Sequence, residues 1–266
     1  MKMRQRSPVS ICALVVMALM PPAISAQVDQ SSVARQLIEA DNASQRREAL
    51  QRARGVSPQK LSRELRAALI DTLDREGKSL VDGYRKRSRG EFVEYREDPE
   101  FITEVARAVA ETQDPLAIPA LAGVLGTGFI VIRALAAFGE KAVPTVVDVV
   151  TSQDSIHYAV DDGLIALRFM VENTASRPLS PAALAGIRRA ADQHLRNGKG
   201  LNITTLWWAI DLAVALNDRG LRRSVEQLAT DWNAVEATGI TDIADVQQTQ
   251  KRAADRLAGV PPLPRP

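Results

Sequence analysis

The sequence predicts an all-α protein in which about twelve helices pair into hairpins that stack as an irregular solenoid. Three observations predict this fold. Apolar residues recur three and four positions apart, no segment alternates as a half-buried strand does, and one stretch of the chain repeats itself. At 45% hydrophobic and 25% charged residues, the 266-residue chain has the composition of a globular protein.

Capping signals agree with the helical periodicity. A side chain that can cap a helix precedes a proline at Ser57-Pro58, Asp98-Pro99, Asp114-Pro115 and Ser180-Pro181. The predicted helices lie near residues 30–39, 43–54, 58–82, 99–112, 115–125, 129–138, 141–152, 156–172, 181–196, 203–216, 219–232 and 241–257. We expect residues 83–98 to form the longest non-helical stretch, within one domain, because similar helical patterns lie on both sides.

Residues 1–26 have the pattern of an export signal. Three basic residues precede an uncharged, mostly apolar run at residues 9–20, and Ile24-Ser25-Ala26 offers a cleavage site. The run is shorter than the ~20 residues that a membrane span needs, so an uncleaved anchor is the less favoured interpretation. Cys12, the single cysteine, would leave with the signal. The sequence therefore predicts an exported protein, periplasmic or secreted.

The rest of the chain is predicted to be one helical-repeat domain, residues 27–258, followed by a proline-rich flexible tail, residues 259–266. Three of the 34 Lys and Arg residues precede residue 27, so 31 remain against 32 Asp and Glu residues, a net charge of −1. Such a balance argues against a general nucleic-acid-binding role. We find no second apolar stretch long enough to span a bilayer.

A repeat of 25 residues is the clearest internal pattern. The apolar residues Ile118, Leu121, Ala122 and Leu125 recur at that offset as Val143, Val146, Val147 and Val150, and Pro119 recurs as Pro144. A second helix, residues 129–138, lies between the two copies and ends at Gly139. One such helix pair cannot bury both of its apolar faces, whereas stacked pairs can.

The repeat resembles the HEAT-type repeats of armadillo-like α-solenoids. The resemblance is carried by three segments, DPLAIPAL (114–121), VIRALAAFG (131–139) and AVP (142–144). It is clearest over residues 99–172, and Arg133 stands where the family often keeps an arginine. The turn Gly126-Thr127-Gly128 departs from the aspartate common in the family, and the spacing is short, so we expect an irregular stack. The resemblance implies a protein-binding scaffold.

Candidate chemical motifs are few, and each has a structural explanation. His157 and Asp161 share a helix face, with Asp162 adjacent, but a zinc site needs three or four ligands and the chain has two histidines. Gly77-Lys78-Ser79 lacks the first glycine of a phosphate-binding loop, and Gly126-Thr127-Gly128 lacks the third glycine of a dinucleotide motif. The sequence predicts no catalytic residue, no cofactor-binding residue, no metal ligand and no cofactor.

Three further features allow two interpretations each. The basic run at residues 85–89 could bind an anionic surface such as a membrane, but a solvated loop neutralised by the acidic residues that follow is favoured. For Trp207-Trp208, core packing is favoured over a ligand site. Asp211 interrupts an apolar helix and should form hydrogen bonds or face a groove.

The favoured functional hypothesis is an exported protein-interaction scaffold or envelope-complex component, not an enzyme, whose partner is another protein. An enzyme with a site in an inter-helix groove near His157, Asp161 or Asp211 is the alternative, and a structural spacer without a ligand is the third. A scaffold should expose an apolar or one-signed patch, an enzyme should show a pocket with converging polar groups, and a spacer should show neither.

Overall fold

The computed structural model describes residues 28–92, 98–175, 178–196 and 202–259. Regular secondary structure in these ranges is entirely helical, with thirteen α-helices and four short 3-10 turns. The predicted all-α class is confirmed. The predicted signal and all of the predicted tail except Gly259 lie outside the described residues.

The α-helices follow one another closely along the chain. They are α1 (Gln30–Glu39), α2 (Ala43–Arg54), α3 (Arg63–Ser88), α4 (Pro99–Thr112), α5 (Ile118–Gly123), α6 (Phe129–Phe138), α7 (Val143–Thr151), α8 (His157–Glu172), α9 (Pro181–Arg196), α10 (Ile203–Leu216), α11 (Arg219–Thr230), α12 (Trp232–Glu236) and α13 (Ile243–Ala258). No helix of the described ranges is both long enough and apolar enough to cross a membrane.

The helices pair into six hairpins that stack in two layers. The hairpin pairs in contact are α1 with α2, α3 with α4, α5 with α6, α7 with α8, α9 with α10, and α11 with α13. In one layer α1, α3, α5, α7, α9 and α11 touch in succession, and in the other α2, α4, α6, α8, α10 and α13 do the same. Each hairpin thus buries its apolar faces against its neighbours in the stack, as predicted for stacked helical hairpins.

The internal repeat forms the centre of this stack. All eight apolar residues matched at the 25-residue offset are buried, Ile118, Leu121, Ala122, Leu125, Val143, Val146, Val147 and Val150. Helices α5 and α7, which carry them, are in contact. The prediction that the two copies lie side by side is confirmed.

Proline shifts the start of both repeated helices. Pro119 and Pro144 each occupy the second position of their helix, so the residues before them form 3-10 turns, Pro115–Ala117 and Gly139–Ala142. A proline ring would clash with the carbonyl four residues earlier in a continuous α-helix. The predicted helices 115–125 and 141–152 are therefore shorter as α-helices than expected.

The predicted helix at residues 58–82 is wrong at both ends. Pro58–Lys60 is only a 3-10 turn, and α3 begins after Ser62, whose hydroxyl accepts a hydrogen bond from the Leu65 amide at 3.1 Å. At its other end α3 continues to Ser88, into the stretch predicted to be non-helical. Basic residues in the last turn favour that extension, since they interact with the negative end of the helix dipole.

The predicted helix at residues 219–232 is also divided. Asp231 has an extended conformation, and its carboxylate accepts a hydrogen bond from the Asn233 amide at 2.9 Å, so it ends α11 and caps the short helix α12. A local side-chain bond of this kind competes with continuation of the helix.

Candidate functional site

The turn between α5 and α6 lies against the start of α8. Gly126 and Gly128 have φ angles of 96° and 136°, which glycine adopts readily. The Gly126 amide donates a hydrogen bond to Asp162 at 2.9 Å. A Cβ atom at Gly126 would lie 3.2 Å from Cβ of Tyr158. Glycine at this position thus lets the turn approach α8 closely.

A cavity of about 380 Å³ opens beside this turn and is lined by Tyr84, Arg87, Gly126, His157 and Tyr158. We call it the turn pocket. Tyr158 is 55% exposed, and its ring centroid lies 3.8 Å from that of His157. Tyr84 and Arg87 reach the pocket because α3 continues past the predicted end of the helix. Because residues 83–98 were expected to form a loop, the sequence did not predict that these two side chains would line a pocket.

Phe129 adds a second exposed aromatic ring directly after the turn. It is 55% exposed, while one side of its ring packs edge-to-face on Phe169 with centroids 5.9 Å apart. The Arg133 guanidinium lies 5.9 Å from the Phe129 centroid, within the range of a cation–π contact. Half-exposed aromatic side chains held in place by neighbours are typical of protein-binding surfaces.

Asp161 joins α8 to α10 through hydrogen bonds from two threonines. Its two carboxylate oxygens accept hydrogen bonds from the hydroxyls of Thr204 at 2.7 Å and Thr205 at 2.5 Å. Burial raises the pKa of Asp161, and these two hydrogen bonds oppose the rise. Within the residues that the structure describes, no group of three or more His, Cys, Asp or Glu side chains is placed to hold a metal ion.

The side chains of Asp162 and His194 each form a hydrogen bond with a backbone group. Burial raises the pKa of Asp162, and the hydrogen bond from the Gly126 amide opposes this effect. His194 Nε2 lies 2.8 Å from the Val150 carbonyl oxygen and acts as the donor. Burial lowers the pKa of His194.

Asp211 lies where three helices meet, and its side chain is 1% exposed. Its oxygens accept hydrogen bonds from Arg168 of α8 at 3.0 Å and from Arg252 of α13 at 2.9 Å. Arg256, also on α13, donates from Nε at 2.8 Å and from Nη2 at 2.7 Å, a bidentate pair. We call these four residues the arginine cluster. The prediction that Asp211 forms hydrogen bonds or faces a groove is confirmed, because it also lines a cavity of about 400 Å³.

The two tryptophans are only partly in the core. Trp208 packs against it, whereas Trp207 lines a second groove and donates a hydrogen bond from Nε1 to Thr249 at 3.2 Å. The Arg252 guanidinium lies 5.2 Å from the Trp207 ring and 5.5 Å from the Trp208 ring. The interpretation of this pair as core packing is therefore wrong for Trp207, because its side chain is partly exposed in the groove.

Sequence reasoning missed Arg252 and Arg256 altogether. Their spacing of four residues places them on one face of a helix, and this pattern could have indicated that they contact the same group. Nothing in the local sequence, however, indicated that this face would meet Asp211, 41 and 45 positions away.

No protein-family model and no curated protein matches the sequence. Among solved structures, the crystal structure of an engineered protein is similar to this chain with a TM-score of 0.39. The alignment covers 87% of this chain and 97% of the engineered one, at 14% sequence identity. A likeness of this degree carries no argument about family or function.

Proposed function

We propose that this chain is an interaction scaffold that binds another protein through the surface around the turn pocket, as the HEAT-type resemblance implies. The observation that carries the proposal is Tyr158, a half-exposed aromatic ring that lines a cavity of about 380 Å³. A second half-exposed ring, Phe129, begins the helix that follows the turn. Large apolar groups kept in water at such a position favour burial by a partner.

The stack supports this role by holding the aromatic side chains in place before a partner arrives. Phe169 packs on Phe129, and the Asp162–Gly126 hydrogen bond fixes the turn against α8. A preorganised surface loses little conformational entropy on binding, so more of the contact energy contributes to affinity.

Export remains part of the proposal through the signal predicted at residues 1–26. The partner would then be another envelope or secreted protein. Mass spectrometry of the exported product should find Gln27 at its N-terminus, and a product that starts at Met1 would contradict the cleavage.

The enzyme alternative rests on the cavity beside Asp211, where polar groups converge. Four N–H donors from three arginines occupy the Asp211 carboxylate. Its oxygens are thus engaged within the fold, and the described contacts give Asp211 a role in holding three helices together.

A photo-crosslinking amino acid at position 158 tests the scaffold proposal. It should yield a discrete protein adduct in envelope extract, and Phe129→Ser should weaken that adduct because it removes exposed aromatic surface. Ile243 is 64% exposed on α13 and supplies the matched control, so Ile243→Ser should leave the adduct unchanged. Equal loss with both serine variants, or no adduct at position 158, would contradict the proposal.

A further inference from the structure

We propose that the groove beside Trp207 binds one carboxylate side chain of an acidic peptide segment. This tryptophan groove has a volume of about 370 Å³ and is lined by Trp207, Gln248, Lys251, Arg252, Asp255 and Arg256. It adjoins the cavity beside Asp211, with which it shares Asp255 and Arg256. The inference rests on the proposed function in one respect, namely that the ligand is a segment of a protein.

The positive charges of the arginine cluster outnumber the negative charges that pair with them. Asp211 neutralises one of three guanidinium groups, and Glu172 forms a second ion pair with Arg168 at 2.6 Å. Lys251 and Asp255, both exposed at the groove, add one charge of each sign. Among the described residues, one positive charge therefore remains at a concave surface, where a ligand carboxylate can compensate it.

Arg252 keeps hydrogen-bonding capacity for such a ligand. A guanidinium has five N–H donors, and Arg252 uses Nη2 on Asp211. Its side chain is 26% exposed, so part of it is within reach of a ligand in the groove. Arg256 is 41% exposed even while it holds Asp211, so its outer face remains open to the groove.

The tryptophan rings orient Arg252 and give the groove an apolar wall. With both ring centroids within 5.5 Å of its guanidinium, Arg252 is restrained by cation–π contacts as well as by Asp211. A restrained donor loses less entropy on binding. The exposed side of Trp207 suits the aliphatic or backbone part of a peptide next to an acidic side chain.

The charge balance favours a carboxylate over a phosphate. A dianionic phosphate would exceed the single uncompensated positive charge and would meet the exposed carboxylate of Asp255 at the rim. A single carboxylate matches that charge. The bidentate pair between Arg256 and Asp211 shows that guanidinium groups at this place already accommodate carboxylate geometry.

Fluorescence anisotropy of the full chain with a labelled hexaglutamate peptide tests the proposal, with a hexaglutamine peptide as the reference ligand. Lys251→Glu should weaken hexaglutamate binding about fivefold, and Asp255→Asn should strengthen it about twofold, as expected for exposed charges near a ligand. Lys141→Glu, an exposed lysine in the turn before α7, changes the net charge equally and should have no effect. Circular dichroism should show that all three variants remain folded.

Two results would overturn the proposal. One is equal binding of the glutamate and glutamine peptides, or equal weakening by Lys251→Glu and Lys141→Glu, since both indicate that the groove is not a site. The other is competition by inorganic phosphate or by anionic phospholipid vesicles at lower concentration than by the peptide, since this assigns the groove to phosphate groups. The crosslink at position 158 reports on the scaffold proposal separately, because Tyr158 lies on α8 and does not line this groove.

Discussion

At the scale of single residues, Asp211 connects α10 to two other helices through one carboxylate. Arg168 approaches it from α8, and Arg252 and Arg256 approach it from α13. Loss of one partner from a buried ion pair leaves uncompensated charge, which costs far more than the pair itself contributes. The stability of the C-terminal hairpins should therefore depend on this carboxylate.

The variant Asp211→Asn keeps the shape of the side chain and removes its charge. We expect it to lower the free energy of unfolding in urea by about 3 kcal/mol, the low end for a broken buried ion pair, because the partly exposed arginines can regain water. Asp255→Asn makes the same chemical change at an exposed position, and we expect an effect within about 0.5 kcal/mol. Similar effects of the two variants would contradict the role of the arginine cluster.

His194 should make stability depend on pH. Burial holds the pKa of its imidazole below the ordinary value of 6.5, so the folded state binds fewer protons than the unfolded state as the pH falls through that value. Thermal stability should decrease from about pH 7.5 to about pH 5.5. His194→Gln keeps a donor for the Val150 carbonyl and should flatten this slope in thermal unfolding. An unchanged slope would assign the dependence to other groups.

At the scale of helices, small residues determine how closely neighbours in the stack approach. Gly163 of α8 faces α7, and a Cβ atom at this position would lie 2.5 Å from Cγ2 of Val150. Gly77 of α3 meets the side chain of Val124 in the same way. Because valine is branched at Cβ and these valines are buried, the neighbours have little freedom to move aside.

Two glycine-to-alanine variants distinguish the effect of close helix packing on stability from the effect of helix propensity. Gly163→Ala should destabilise the protein by about 1–2 kcal/mol, because overpacking outweighs the gain in helix propensity. Gly186 of α9 has its nearest atom, Val147 Cγ2, 3.8 Å from an added Cβ. Gly186→Ala should therefore stabilise the protein by about 0.5–1 kcal/mol. Chemical denaturation measures both effects, and stabilisation by both would show that α7 and α8 are not tightly packed.

At the scale of the whole molecule, contacts run from each hairpin to the next. Helix α1 touches α2 and α3, and the same short-range pattern continues to α13. In such linear arrays, stability is close to a sum of terms for each unit and for each interface between neighbours. Terminal units can then open without the centre.

Hydrogen exchange with mass spectrometry can test this linearity. Leu37 in α1 and Leu164 in α8 are both fully buried, and truncation of either to alanine costs about 2–5 kcal/mol. Leu37→Ala should speed exchange in α1 and α2 and leave α8 to α10 unchanged. Leu164→Ala, at the centre, should speed exchange in its neighbours α6, α7 and α10 as well. A uniform increase with Leu37→Ala would indicate one cooperative unit.

Local signals explain why the helices could be predicted so closely from the sequence. The capping residues Asp98 and Asp218 each bond the first turn of their own helix, within three positions of the chain. Two of the boundaries that were wrong, at Ser62 and Asp231, also involve capping bonds. Near Ser62 a second candidate cap, Ser57, lies close by, and at Asp231 the cap interrupts a continuous apolar pattern.

The sequence by itself therefore determined the helical class, most helix positions and the contact between the two copies of the repeat, because periodicity and capping act over a few residues. Only the tertiary structure decided that α13 places Arg252 and Arg256 on Asp211 and beside Trp207, and that the end of α3 completes the turn pocket. These sites join residues 36 or more positions apart, so they depend on where helices cross. The surplus positive charge of the tryptophan groove arises because these helices bring the arginines together. In the sequence, each arginine has the pattern of an ordinary residue on a solvated helix face.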